Sequence, residues 1–117
     1  MATDFRSGKD FPRRGRERVG EYYWLARVFD KARAKRDDTI FDYIYPCPLD
    51  KGVFERWGIT PEQFDEALKT IDTDEGILAW VEARVSPAKR DAANTWVIVD
   101  KQASLDKQDA EEGVLAA

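Results

Sequence analysis

Cys47 is the only cysteine of this chain, and it stands between two prolines in the run Tyr43-Ile44-Tyr45-Pro46-Cys47-Pro48-Leu49-Asp50. Proline fixes φ and lacks an amide donor, so the flanking pair stiffens the backbone and holds the thiol at one place. A thiol reacts as its thiolate, which needs neighbouring cations or a helix N-terminus. Arg33 and a helix beginning after Asp50 are the candidates to supply these, with Asp30 as a nearby acid. The competing description is a packed thiol, because free cysteine is among the most buried residue types. The chain contains no histidine, and the missing base weighs for packing. It also excludes Ser-His-Asp and Cys-His catalysis and removes the commonest metal ligand. No metal and no cofactor are expected. Asp50, likewise, reads as a helix cap rather than a general acid.

A second set of chemically able side chains lies on the helix before this run. At about 100° per residue, Asp30 falls beside Val19 and Tyr23, and Arg33 falls between Phe29 and Ala26. An acid and a base three apart can meet on a helix surface. Here they meet inside the apolar arc, where an unpaired charge costs on the order of several kcal/mol. One reading is an ion pair that ties the helix to the Tyr43–Asp50 connector, and the other is the floor of a polar pocket; the tie is favoured. Trp24 is the converse case, an aromatic that shares the charged face with Arg27, Lys31 and Lys35. It stands either for stacking on a ligand or partner or for a contact covered by another helix.

Charge is unevenly spread. Residues 1–36 carry 11 Lys/Arg against 5 Asp/Glu, a net of +6, and residues 37–117 carry 8 against 18, a net of −10. Arg13-Arg14-Gly15-Arg16-Glu17-Arg18 could grip phosphates. The acidic remainder would repel a polyanion, so nucleic acid is an unlikely partner. The asymmetry favours contact between the arm and an acidic surface of this chain or of a partner.

The elements that must position these groups are legible from apolar spacing and caps. Residues 1–15 show no apolar period and read as a flexible basic arm. A helical pattern runs from about Arg16 to Arg36 through Val19, Tyr22, Tyr23, Ala26 and Phe29. Ile40–Tyr45 reads as an ordered connector on the core, with Trp96–Val99 as the only strand partner it could have. Asp50 is the expected N-cap of the next helix, which Gly58 closes after Trp57. Thr60-Pro61-Glu62-Gln63 is a cap, a first-turn proline and a capping-box glutamine. Asp72 with Glu75 starts another helix, and Ser86-Pro87 opens a last one carrying Ala88, Ala92, Trp96 and Val99 on one face. Beyond about Ala103 a polar tail is expected. The reading is a single all-α domain of about five helices over residues 16–103, an arm over 1–15 and a tail over 104–117.

Tyr23-Trp24-Leu25-Ala26-Arg27, Asp30-Lys31-Ala32-Arg33-Ala34-Lys35 and the Tyr43–Asp50 run together resemble a bacterial family of DUF5069-like domains of unknown function. The likeness covers roughly Phe11 to Trp96. It implies a compact helical domain and supplies no activity, ligand or catalytic residue. With 117 residues, one domain can bury about two thirds of its unfolded surface. The apolar runs are too short to cross a bilayer, so no membrane contact is expected, and a lone thiol fits the cytoplasm. The functional expectation is a binding or interaction module for a protein or small molecule. Its site lies between the first helix and the connector and draws on Trp24, Arg27, Asp30, Lys31, Arg33, Tyr45, Cys47 and Asp50. The alternative is a small thiol-dependent enzyme or redox-responsive protein using Cys47 with Arg33 and Asp30. Nucleic-acid contact through the arm ranks below both.

Overall fold

Every residue from Leu25 to Ala34 is buried, so helix α1 (Leu25–Arg36) runs through the middle of the protein rather than along one face. The structure is a computed structural model that describes residues 4–112. Among the described residues, a two-stranded antiparallel ribbon, β1 (Arg18–Val19) and β2 (Tyr22–Tyr23), and five further helices lie around α1. These are α2 (Pro48–Trp57), α3 (Pro61–Ala67), α4 (Asp74–Glu82), α5 (Pro87–Thr95) and α6 (Gln102–Glu111). A π-helical turn, Trp96–Asp100, joins the last two. The Cα radius of gyration, 13.4 Å, is that of one globule of this length.

The mostly helical single globule is as expected, but α1 starts nine residues later than its apolar spacing suggests. Val19 and Tyr22 are buried from the ribbon, where Val19 pairs with Tyr22 and Arg18 with Tyr23. Gly20 (φ 58°) turns the chain between the strands, and Trp24 (φ 73°) turns it again into α1. A tryptophan in the left-handed region is held there by its surroundings. Its amide donates to Gly15 O at 3.0 Å, and its side chain is fully buried.

The caps explain the remaining helix starts. Thr60 and Gln63 form the expected capping box on α3, Ser86 caps α5, and Gly58 (φ 79°) closes α2 in the left-handed conformation. At α2 the expectation is corrected: Cys47, not Asp50, is the N-cap. Its Sγ accepts the Asp50 amide at 3.4 Å, while the Asp50 carboxylate accepts the Cys47 amide at 2.9 Å. The helix therefore starts at Pro48, with proline at the first position where its missing donor costs nothing. At α4 the cap is Thr73 rather than Asp72, since Thr73 Oγ1 accepts the Gly76 amide at 3.1 Å.

The C-terminal part departs further. The buried residues of α5 and the turn after it are Ala93 and Val97, not the row Ala88, Ala92, Trp96 and Val99, and Val99 is 63% exposed. A π-helical turn holds more residues than an α-helical one, so the face rotates there. Beyond it the chain continues as α6, whose Leu105 enters the core. Trp96–Asp100 is thus no strand, and the connector has no partner of that kind. Part of the segment read as an arm packs on the body: Phe5 is buried with its ring against Tyr43, and its amide donates to Thr39 O. The outer ends of the expected arm and tail, 1–3 and 113–117, lie outside the described residues.

A run of packed aromatics links the outer elements: edge to face from Tyr22 to Trp57 (6.0 Å between centroids), Trp57 to Phe54 (5.9 Å) and Phe54 to Tyr45 (6.4 Å), and tilted from Phe54 to Phe64 (5.2 Å). Such pairs contribute about 0.5–1.5 kcal/mol each beyond the area they bury. Through them Tyr45, and with it the connector, is fixed to α2 and α3.

Candidate functional site

Four charged residues of α1 are buried, and each reaches a different part of the chain. Arg27 makes a two-pronged pair with Glu112 at the end of α6, at 3.1 and 2.9 Å. Asp30 accepts three hydrogen bonds from Arg13, one of them from its amide, and pairs with Arg33 at 2.8 Å. Lys31 pairs with Asp50 of α2 at 2.7 Å. Arg33 lies flat over the Phe29 ring, 3.8 Å from its centroid, and reaches Asp72. A buried charge must be paired, and these pairs bind the N-terminal segment, α2, the loop before α4 and the end of α6 to one helix.

Seven of the expected site residues fall into three groups rather than one, and the eighth, Tyr45, stands apart with its hydroxyl on Asp65. Trp24, Lys31 and Asp50, all buried, meet the half-buried Cys47 in one cluster. Asp50 accepts from the Trp24 indole at 2.8 Å, from Lys31 Nζ and from the Cys47 amide, and Lys31 Nζ also lies 3.3 Å from Cys47 Sγ. Asp30 and Arg33 form the second group with Arg13, and Arg13 continues to Asp74 at 2.8 Å. Arg27 belongs to a third, with Glu112, Arg14 and the Tyr43 hydroxyl. The Asp30–Arg33 pair is buried, but the connector is tied elsewhere: Lys31 holds Asp50, and Lys35 Nζ donates to Tyr45 O at 2.9 Å. Arg33 is therefore not the cation beside Cys47; that place is taken by Lys31. Trp24 does not face outward: its ring is fully buried, with the Arg27 guanidinium 5.8 Å from its centroid, and its indole N–H is used by Asp50.

Beside this scaffold a pocket of about 250 Å³ opens between α1, the connector and the end of α3. Ala32, Leu68 and Tyr45 give it an apolar lining, and Lys35, Arg36, Lys69 and Asp65 are its charged members. The Tyr45 hydroxyl donates to Asp65 Oδ1 at 2.7 Å. Burial, with the Asp65 carboxylate next, holds the Tyr45 phenol well above its ordinary value. Burial also pushes the Asp65 carboxyl up, opposed by the hydroxyl that donates to it. Arg36 is engaged with Leu68 O, Asp37 and Asp72, and Lys69 with Glu66. Among the described residues, Lys35 alone of these cations has a carbonyl rather than a carboxylate as its hydrogen-bond partner. Sequence reasoning placed Tyr45 and the connector here but missed Lys35, Asp65 and Lys69 as lining. Asp65 stands twenty residues from Tyr45, and no local signal joins them. Among the described residues no group of three or more Cys, Asp and Glu side chains is gathered to hold a metal ion.

These features define a small, mostly helical domain with a pocket at its connector. The family model for a domain of unknown function (DUF5069) matches residues 9–116, and the chain belongs to that family. No curated protein matches the chain. Among the described residues no helix is long and apolar enough to cross a membrane.

Proposed function

We propose that this domain is a binding module whose site is the pocket between α1, Tyr45 and the end of α3. The observation that carries the reading is the pocket itself, which combines an apolar lining from Ala32, Leu68 and Tyr45 with charged groups at its edge. Small-molecule sites have this composition, an apolar body with a few placed polar groups. At about 250 Å³ the pocket lies just under their usual range of about 300 Å³ upward and suits a small ligand. The Trp24–Lys31–Cys47–Asp50 cluster then acts as the mount that fixes the connector and sets Tyr45 in the wall. The lone thiol supports a cytoplasmic setting for such a module. A ligand-observed NMR screen of small organic fragments tests it. Fragments bind the wild-type protein and are lost from Ala32→Leu, whose longer side chain fills the pocket, while helical circular dichroism shows that variant still folded. Failure of every fragment, or binding indifferent to that substitution, contradicts the reading.

One contact favours a second reading. Cys47 Sγ lies 3.3 Å from Lys31 Nζ and accepts an amide in the first turn of α2, so a cation and a helix amide both face the sulfur. In that reading Cys47 is a reactive or redox-responsive thiol supported by Lys31. Native-state labelling with a thiol reagent separates the two: the binding module predicts slow labelling, and fast labelling at neutral pH reverses the order. Nucleic-acid contact ranks lower, because Arg13, Arg14 and Arg16 are already paired with Asp30, Asp74, Glu112, Asp106 and Asp109.

A further inference from the structure

The charges around the Tyr45 pocket are not symmetric. Three cations, Lys35, Arg36 and Lys69, share its lining with one acid, Asp65. Asp65 turns Oδ1 to the Tyr45 hydroxyl, and Arg36 and Lys69 are matched by Asp37, Asp72 and Glu66. Lys35 is exposed, and the Tyr45 carbonyl oxygen that it meets carries no charge to balance it. Beneath these groups the Ala32 methyl, the Leu68 side chain and Tyr45 offer an apolar bed.

From this arrangement we infer that the pocket takes a small amphipathic carboxylate, its apolar body on Ala32, Leu68 and Tyr45 and its anionic head at Lys35. The inference rests on the reading of the pocket as a binding site and adds the chemical class of the ligand. An apolar body gains by leaving water for the lining. The carboxylate gains a charge-assisted hydrogen bond from an ammonium whose own hydrogen-bond partner is a neutral carbonyl and which Asp65 reaches through charge alone. A neutral ligand of the same shape keeps the first gain and loses the second. A dianion or a polyphosphate would set its further charge against Asp65, so one negative charge fits best.

The test compares hexanoate with hexanamide, its neutral counterpart, by NMR titration of the isotope-labelled full chain at low ionic strength. Hexanoate is expected to bind about fivefold more tightly than the amide, the scale of one exposed ion pair. The preference is expected to shrink as salt is added. Lys35→Gln is expected to remove the preference while leaving hexanamide binding as it was, and Lys69→Gln is expected to leave the preference largely intact. Equal affinity of acid and amide overturns the assignment of an anionic ligand while the binding pocket stands. A preference that survives Lys35→Gln overturns Lys35 as the recognising group. Absence of binding by both probes overturns the inference, and with an empty fragment screen it overturns the underlying reading as well.

Discussion

Lys31 Nζ lies 2.7 Å from Asp50 Oδ2, and this pair joins the middle of α1 to the first turn of α2 with both side chains buried. Asp50 is thereby the acceptor for an ammonium, an indole and a backbone amide at once. Asp50→Ala strands all three donors and is predicted to cost about 3–5 kcal/mol. Lys31→Met leaves the carboxylate two of its donors and is predicted to cost less. Urea denaturation measures both; an Asp50→Ala protein within about 0.5 kcal/mol of wild type, the range of an inert surface change, contradicts the description of this pair as the mount of the connector.

The N-terminal segment is predicted to contribute to stability rather than to hang free. Asp30 holds both Arg13 and Arg33, so Asp30→Ala is expected to cost about 3 kcal/mol or more. Phe5 is 1% exposed, and Phe5→Ala is expected to cost about 3 kcal/mol by loss of burial and the cavity left behind. The same network has a pH signature. The Arg13 guanidinium holds the Asp74 carboxyl below its usual value. Its contribution is present above the unfolded carboxylate value and is lost as pH falls through the lower folded one. Arg13→Met is therefore expected to flatten the acid limb of stability against pH, and an unchanged acid limb contradicts it.

At Gly52 the usual helix rule is predicted to reverse. Glycine inside a helix is normally about 1 kcal/mol worse than alanine. A Cβ at position 52 would run into the Trp96 ring, which is stacked under Arg56 at 4.0 Å. Gly52→Ala is thus expected to lower the melting temperature. A rise would show that Trp96 moves aside freely.

What could be read in the sequence was local. Thr60-Pro61-Glu62-Gln63, Gly58 and Ser86-Pro87 announce their helix ends because capping uses residues within a few positions of each other. Cys47 and Asp50 show the limit: an aspartate serves at the cap and three residues into the helix, and only the Sγ contact to the Asp50 amide sets the frame. Val19, Tyr22 and Tyr23 fit a helical spacing and are buried or half-buried from a ribbon instead, because the left-handed turn at Trp24 leaves no mark in composition. The π-helical turn at Trp96–Asp100 likewise rotated a face that regular spacing had placed elsewhere. The pocket was half legible, since Tyr45 lay in the singled-out run while its partner Asp65 sits on a helix twenty residues away.

Alkaline titration of the tyrosines is predicted to be coupled to unfolding. Burial, with Glu112 next, pushes the Tyr43 phenol up to about 12. Burial also raises Tyr22 and, together with Asp65, Tyr45. A phenol whose folded value lies above its unfolded value leaves stability untouched below the unfolded value. It withdraws stability as pH rises toward the folded one. Phenolate absorbance is expected to show a late, cooperative phase that coincides with loss of helical circular dichroism, diminished in Tyr43→Phe and Tyr45→Phe. Ionisation of all four tyrosines in a folded protein contradicts this.

The most direct test of the account is to locate the binding site in solution. Backbone amide shifts of the labelled protein, followed while a small apolar-bodied carboxylate is added, are predicted to move at Ala32, Lys35, Tyr45, Asp65, Leu68 and Lys69 and to stay in place around the ribbon and α5. Shifts that saturate at those residues and vanish in Ala32→Leu are the expected result. Saturable shifts centred anywhere else, or none at all, contradict the pocket beside Tyr45 as the functional site.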